Sequence, residues 1–164
     1  MREVSERAIR ASFVNCSKGE AMRLTVPRDL AERPWDDLDF LGWNDPKAPQ
    51  RSYIVAERDD GLIGVVLHVT SGQHGPKRRS MCSLCLTTHS GGRVSLLAAK
   101  KARQTGKDDD SVGEYICTDL ACSLYVRGKK LPEHGERLEE SLTVEEKAER
   151  VRAKLMVFLD RLFV

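Results

Sequence analysis

The chain has 164 residues, of which 5% are aromatic and 32% are charged, so it is long enough for one domain with a lean hydrophobic core. No apolar run approaches the roughly 20 residues that span a bilayer, and the charged N-terminus lacks the apolar stretch of a secretion signal. We therefore expect a cytoplasmic protein with no membrane contact, in which cysteines stay reduced and favour metal binding over disulfides.

The first predicted element is a short amphipathic helix from about residue 3 to residue 14, because Val4, Ala8 and Ala11 recur at roughly helical spacing. Cys16 follows without a partner, and we interpret it as a small buried hydrophobic side chain rather than a nucleophile or a fifth metal ligand. The segment 18–34 contains two prolines and predicts an extended piece followed by a turn or short helix.

Residues 34–43 place both tryptophans, Trp35 and Trp43, among three aspartates. We expect a loop that is held on the core by its aromatic rings, with a contact surface as the alternative. The aspartates lack the glycine and the terminal glutamate of a calcium-binding loop.

The clearest strand signal lies in two runs, 52–56 and 62–69, which are separated by a turn that contains Asp60 and Gly61. Such a pair predicts a β-hairpin. The second run is continuously apolar, which indicates a central strand. His68 lies within it, and we interpret it as a hydrogen-bonded core residue rather than a metal ligand.

Two cysteine pairs stand at the centre of the chain, Cys82 with Cys85 and Cys117 with Cys122. Tetrahedral Zn²⁺ takes four nitrogen or sulfur donors, and a C-x₂-C turn lets two thiolates converge on one ion. A single pair would leave a redox motif open, whereas two pairs in a short chain predict a structural zinc site. Four thiolates leave no open coordination position, so we expect no catalysis at this metal.

Between the cysteine pairs, residues 93–99 and 114–116 predict two strands, and residues 100–110 predict the exposed tip that joins them. Thr118 or Asp119 would then cap a helix over 120–126, which Gly128 ends. The C-x₂-C turn of Cys82 and Cys85, which we call the first knuckle, is thus followed by a hairpin and then by a helix. This order is the arrangement of a treble-clef zinc finger, with Cys117 just before the helix and Cys122 in its first turn.

The most regular predicted helix is the last one. Thr143 and Glu146 have the spacing of a capping box. A stripe of apolar residues follows at steps of three and four, which we expect to pack on the β-hairpin. Its members are Val144, Ala148, Val151, Leu155, Phe158 or Leu159, and Leu162. The alternative is a docking face for a partner helix.

These elements predict an α+β fold, in which an antiparallel sheet with flanking helices carries the zinc finger. We expect one domain over 1–164. Within it, 1–70 would hold the N-terminal helix and the β-hairpin, 77–130 the treble-clef zinc finger, and 141–164 the C-terminal helix.

The charges are distributed unevenly. Segment 71–107 holds eight lysines and arginines and no aspartate or glutamate. Part of this excess could neutralise the charge of −2 that four thiolates leave around Zn²⁺. The other interpretation is contact with an anionic partner, either RNA or an acidic protein surface. His74 and His89 flank the first knuckle, but a segment without acids cannot bind a second metal there, so nuclease chemistry is not expected.

The spacing and context of the cysteines resemble the C-terminal treble-clef domain of FusB-type elongation factor G-binding proteins. The resemblance rests on the C-x₂-C knuckle, on Gly91-Gly92-Arg93, and above all on the run Glu114-Tyr115-Ile116-Cys117-Thr118-Asp119 that precedes Cys122. It covers the chain from near Ser52 to the C-terminal helix. FusB-type proteins also have a separate N-terminal helical bundle, and we expect the residues before Ser52 to be too few to supply one.

The resemblance implies a structural zinc ion on Cys82, Cys85, Cys117 and Cys122. It also implies a non-catalytic protein of the translation machinery that binds elongation factor G or the ribosome and helps to release the factor that fusidic acid has trapped. We expect no small-molecule substrate. The predicted partner-binding residues are Arg93, Lys100, Lys101, Arg103, Lys107 and Tyr115. The alternative function is that of an RNA-binding zinc-finger protein that uses the basic segment, although this segment has few aromatic residues to stack on bases.

Overall fold

The computed structural model of the chain describes residues 1–59, 61–70, 79–102, 110–136 and 138–164. The helices are α1 (Glu6–Ser12), α2 (Lys18–Arg23), α3 (Cys122–Val126) and α4 (Val144–Asp160). The strands are β1 (Leu41–Asn44), β2 (Arg51–Arg58), β3 (Gly61–Val69), β4 (Ser80–Met81), β5 (Thr88–His89), β6 (Val94–Lys100) and β7 (Ser111–Cys117). Short 3₁₀ turns occupy Leu30–Glu32 and Trp35–Asp37.

An antiparallel sheet forms the centre of the molecule, with the strand order β1-β2-β3-β6-β7. The predicted hairpin is confirmed, because β2 and β3 pair from Arg51 opposite His68 to Arg58 opposite Gly61. The predicted central position of β3 is confirmed as well. β4 and β5 form a separate two-stranded sheet beside the first cysteine pair.

The sheet is covered on both faces because successive residues of a strand point to opposite sides. Ile54 and Ala56 of β2 belong to a core with α3, α4 and the four clustered cysteines, which we call the zinc-side core. Tyr53 and Val55 of the same strand belong to a second core, the N-terminal core, which also holds Ile9 of α1. The first 50 residues therefore supply one of the two layers that cover the sheet.

α4 confirms the predicted C-terminal helix and its cap. The Thr143 hydroxyl accepts from the Glu146 amide, and the Glu146 carboxylate accepts from the Thr143 amide. The predicted stripe is buried from Ala148 to Leu162. Val144 is an exception with 50% exposure, because it lies in the first turn, ahead of the residues that reach the core.

The N-terminal helices depart from the prediction. α1 is shorter than expected, and it buries Ile9 and Ser12 while Ala11 is exposed. Ser12 reaches the sheet where Gly64 has no side chain; a Cβ at Gly64 would lie 2.4 Å from the Ser12 hydroxyl oxygen. The predicted extended piece after residue 18 is wrong, because that segment begins with α2. A capping box between Ser17 and Glu20 starts this helix despite the glycine in it.

The two tryptophans confirm the packed interpretation of their segment. Trp35 and Trp43 are 8% and 6% exposed, and their indole N–H groups donate to the carbonyls of Leu30 and Thr25 at 2.8 Å. The loop prediction is wrong at its end, where Trp43 lies in the edge strand β1. In the part of the chain that the structure describes, no helix has both the length and the hydrophobicity that a bilayer span requires.

Candidate metal centre

A tight turn after β4 brings the first cysteine pair together. The Leu86 amide donates to the Cys82 carbonyl at 3.0 Å, which folds the four residues from Cys82 to Cys85 back on themselves. Leu86 has a φ of 58°, a left-handed conformation that is uncommon for a residue other than glycine. The Cys82 amide donates to the Thr87 carbonyl at 3.0 Å and closes the knuckle.

The second pair lies at a junction between strand and helix. Cys117 is the last residue of β7 and Cys122 is the first residue of α3. Between them, the Leu120 amide donates to the Cys117 carbonyl at 2.9 Å, and Leu120 has a φ of 56°. The chain therefore makes a second tight turn before the helix begins.

This second turn corrects the predicted helix start. The N-cap residue is Ala121 rather than Thr118 or Asp119, because the left-handed residue Leu120 interrupts the helix. Asp119 instead uses one carboxylate oxygen to accept from the Ala121 amide at 3.1 Å and the other to accept from Tyr125 at 2.8 Å. The predicted end of the helix is confirmed at Gly128, which has a φ of 68°.

The four sulfur atoms form a compact cluster. Cys82 Sγ lies 3.6 Å from Cys122 Sγ, and Cys85 Sγ lies 3.6 Å from Cys117 Sγ. All four ligand atoms lie within 4.8 Å of one another, and all four residues are buried. A tetrahedral ion with Zn–S bonds of about 2.3 Å places its sulfurs about 3.8 Å apart, so the donor set and its spacing fit Zn²⁺.

Crowding changes the acidity of these thiols. Contacts from Cys117, Cys122 and Cys85 hold the pKa of Cys82 well below its usual range. The contact with Cys117 is the largest of the causes that raise the pKa of Cys122. Four buried sulfurs at this spacing cannot all lose their protons unless a cation compensates the charge, and a divalent metal supplies that charge.

His89, which the sequence placed beside the first cysteine pair, contacts the cluster directly, and this contact was not predicted. Its Nε2 atom lies 3.4 Å from Cys117 Sγ, and its ring packs edge-on against Tyr125 with centroids 4.8 Å apart. Burial lowers the pKa of His89, so the ring is neutral and carries one proton. Its Nδ1 atom is buried without a hydrogen-bond partner among the described residues, which favours a proton on Nε2, where it is donated to the sulfur.

A comparison of the sequence with models of protein families identifies the family of this chain. The family model described as FBP C-terminal treble-clef zinc-finger matches residues 8–162. The chain belongs to this family. It is thus a zinc-binding domain of the kind found in FusB-type proteins, and Zn²⁺ is its structural metal. A search of curated proteins found no match.

The match of the FBP C-terminal family begins well before Ser52, where the sequence resemblance began. It includes most of α1 and all of α2 and β1, which contribute residues to the N-terminal core. The family domain therefore includes the cores on both faces of the sheet.

The predicted partner-binding residues of this FBP C-terminal domain do not form one cluster. Arg93 precedes β6 at the zinc end, whereas Lys100 ends that strand and Lys101 follows it. A strand of this length separates its ends by about 20 Å. Tyr115 lies between them on β7 with 41% exposure. Arg103 and Lys107 lie outside the described residues, as does His74.

Acidic side chains lie beside several of these cations. Arg93 pairs with Glu133, and Lys101 pairs with Asp110 at 2.8 Å. Arg79, from the same basic segment, contacts Glu136 at 3.4 Å. The excess positive charge of segment 71–107 is thus partly compensated by acids from later in the chain.

A buried ion-pair network near the metal centre was also not predicted. The Asp39 carboxylate accepts two hydrogen bonds from Arg127, at 2.6 and 2.9 Å, and one from Arg152 at 2.8 Å. Its backbone amide donates to the Ser123 hydroxyl at 3.0 Å. Asp39 therefore joins the segment before β1 to α3, to the residue after it, and to α4.

Proposed function

We propose that Cys82, Cys85, Cys117 and Cys122 are the ligands of the zinc ion, and that the zinc-held domain is a non-catalytic module that binds elongation factor G. The match of the family model over residues 8–162 is the observation on which this proposal rests most. The four converging sulfurs support it, because they complete a closed shell in which the metal organises the fold.

A closed shell supports a binding role. Four thiolates leave no position for water or substrate on the ion. Cys16 and His68 line one cleft elsewhere in the chain, but burial raises the pKa of the Cys16 thiol and also lowers the pKa of His68. An activated nucleophile needs the opposite, a thiolate that a cationic partner stabilises.

The β6–β7 hairpin supplies the proposed contact surface. Arg93 and Tyr115 are exposed at its zinc end and middle, and Lys100 ends β6, with Lys101 directly after it. The proposed contact also includes Arg103 and Lys107, which lie outside the described residues. Exposed ion pairs contribute little to stability, so Arg93 can exchange Glu133 for a carboxylate of the partner at small cost.

Mixed charge on this surface favours a protein partner over RNA. Phosphate groups repel carboxylates, and Glu133, Glu136 and Asp110 lie beside the basic side chains. A protein surface of alternating charge can complement both signs. For RNA the expected signature is different, because affinity for a bare strand falls steeply with salt in proportion to the phosphates contacted.

In this role the protein acts in the cytoplasm on elongation factor G that is bound to the ribosome. Contact with the factor, and with nearby ribosomal RNA, would promote its release, including release from ribosomes that fusidic acid has stalled. Reduced conditions in that compartment keep the four thiolates available for zinc.

The test is calorimetric titration of the zinc-loaded chain with purified elongation factor G at low salt. We expect saturable binding that Arg93→Glu weakens at least about tenfold, since the change replaces an attraction with a repulsion. Arg7→Glu is the matched control. Arg7 is exposed on α1, which covers the face of the sheet opposite to the four cysteines. Circular dichroism verifies that both variants keep the fold.

Two results would overturn the proposal. One is the absence of binding to elongation factor G together with the absence of the chain from ribosome pellets, with zinc present. The other is equal weakening by Arg93→Glu and Arg7→Glu, which would indicate a general charge effect. Tight binding to bare RNA with a steep salt dependence would favour the RNA-binding alternative.

A further inference from the structure

An open groove of about 870 Å³ lies between α1 and α2, in the layer that covers the sheet on the face opposite to the four cysteines. We call it the α1–α2 groove. Its apolar lining consists of Ala11, Phe13, Ala21 and Met22. Met22 is 65% exposed, and an exposed methionine among other apolar side chains is typical of a surface that adapts to a partner.

Contacts within the fold fix the two sides of the groove. The Nη1 atom of Arg10, on α1, lies 2.8, 2.9 and 3.0 Å from three carbonyl oxygens at the C-terminal end of α2. The Phe13 ring packs edge-on against Trp43 and Tyr53, with ring centroids 6.4 and 5.9 Å apart. The groove is therefore formed before a partner arrives, which lowers the cost of binding.

The charges around the groove are mostly positive. Among the described residues, the one acid that lines it is Glu6, whose carboxylate accepts from Arg10 at 2.6 and 2.9 Å. Arg7 and Lys18 also line the groove, and both are exposed. Within the part of the chain that the structure describes, neither forms an ion pair with a carboxylate. The groove thus combines an apolar surface with two basic groups that attract negative charge.

The shape of the groove favours a helical occupant. Helices border it on both sides, so an extended peptide would find no strand edge with which to pair. A helix satisfies its own backbone hydrogen bonds and presents apolar side chains at steps of three and four residues. A concave groove also does not suit a bilayer, because membrane binding needs an apolar face that projects into the lipid.

We propose that the α1–α2 groove binds an acidic amphipathic helix of another protein. The apolar stripe of this helix packs on Phe13 and Met22, and carboxylates beside the stripe contact Arg7 and Lys18. The interaction goes beyond the proposed function, because the groove lies across the sheet from the metal centre and does not require elongation factor G.

The experiment selects binders of the zinc-loaded full chain from a displayed library of helical peptides. The peptides have at least about 15 residues, since shorter isolated helices are marginal in water. Acidic and basic residues are equally frequent at the polar positions of the library. We expect the selected peptides to carry apolar residues at steps of three and four and an excess of aspartate and glutamate. Selected peptides that are neutral or basic, or a selection that yields no binder, would overturn the proposal.

Two depletion steps before the selection locate the binding site. Half of the library is passed over Met22→Glu and the other half over Val157→Glu. Both side chains are exposed to the same degree, 65% and 64%, but Val157 lies on α4 and does not line the groove. Because Val157→Glu keeps the groove, it should remove the binding peptides, whereas Met22→Glu should leave them in the library. Equal effects of the two depletions contradict the proposal.

Arg7→Glu tests the charge contact by fluorescence anisotropy with the most enriched peptide. We expect binding that is at least about tenfold weaker, since an attraction becomes a repulsion. Arg28→Glu is the matched control, because Arg28 is exposed but does not line the groove. Circular dichroism verifies that the variants keep the fold, and equal losses in the two variants overturn the proposal.

Other occupants of the groove would give different results. Arg93→Glu should leave the affinity for the peptide unchanged, so this proposal and the proposed function can fail separately. Binding to phosphatidylserine vesicles that Met22→Glu abolishes would assign the groove to a membrane surface. Self-association that Met22→Glu abolishes would assign it to a second copy of the chain, and either result overturns the proposal.

Discussion

Cys16 and the four clustered cysteines have the same side chain in different surroundings. Cys16 packs against the N-terminal core, whereas Cys82, Cys85, Cys117 and Cys122 belong to the core on the other face of the sheet. The spacing of the two pairs was enough to predict the cluster from the sequence, because a C-x₂-C turn is a local feature. The distance of Cys16 from this cluster could not be predicted in the same way, because it depends on which face of the sheet each segment covers.

Replacement of one of the four clustered cysteines should therefore affect zinc content and folding, whereas replacement of Cys16 should not affect zinc content. We expect Cys117→Ser to lose its zinc and to unfold at least in the β6–β7 region, since metal binding supplies folding free energy on the order of 10 kcal/mol in small zinc domains. Cys16→Ser should keep its zinc. The check is zinc content by mass spectrometry with a thermal melt, and loss of zinc only in Cys16→Ser would show that the ligand set is wrong.

His89 provides a second prediction at this scale. Its Nε2 atom lies 3.4 Å from the Cys117 sulfur, and the loss of a hydrogen bond to a metal ligand typically changes metal affinity 10- to 100-fold. We expect His89→Phe to weaken zinc binding by about that factor and to move the sulfur-to-metal charge-transfer band of the cobalt-substituted protein to lower energy.

The glutamine variant separates the hydrogen bond from packing. His89→Gln keeps a donor near the sulfur and should restore most of the band position. If His89→Phe and His89→Gln gave the same unshifted band, the ring would be a packing residue only. Sequence reasoning could not find this role, because the contact joins β5 to the end of β7.

Among the elements, those with strong local signals were predicted best. The hairpin β2–β3 has a turn signal between two apolar runs, and α4 has a capping box and a long periodic stripe. α2 was missed because it has only six residues and too few turns to show a period. β1 was missed because its pairing with β2 is decided by the sheet and by the packing of Trp43.

The cap of α4 allows a direct measurement at this scale. Thr143→Ala removes the hydroxyl that accepts from the Glu146 amide, and we expect a loss of about 1 kcal/mol in the free energy of unfolding. Ser141→Ala is the control, because Ser141 is exposed outside the helix. Chemical denaturation of both variants checks this, and equal stability of the two would mean that the cap does not contribute.

Over the whole molecule, the sheet is held between two layers, and Asp39 links parts that are far apart in sequence. Arg127 and Arg152 lie 88 and 113 residues away from it. The sequence predicted a loop with three aspartates beside the tryptophans, but it could not show which aspartate is buried, because that depends on how α4 and the segment after α3 meet. The sequence likewise could not show how far apart the predicted partner-binding residues lie, because Arg93 and Lys100 stand at opposite ends of β6.

The network should be costly to break. Asp39→Asn leaves two arginines near a neutral side chain in a buried position, and we expect a loss of about 3 kcal/mol or more in the free energy of unfolding. Asp36→Asn makes the same change three residues away at an exposed position and should change stability by less than about 0.5 kcal/mol. Urea denaturation of the zinc-loaded proteins distinguishes the two, and a small loss in Asp39→Asn would mean that the pairs contribute little.

We expect one zinc ion, enclosed by four cysteines, to hold the domain in its fold. X-ray absorption spectroscopy of the purified, folded chain at the zinc edge tests this expectation. We expect four sulfur neighbours at about 2.3 Å and no lighter neighbour. A shell with a nitrogen or oxygen at about 2.0–2.1 Å in place of a sulfur, or folded protein without zinc, would contradict it.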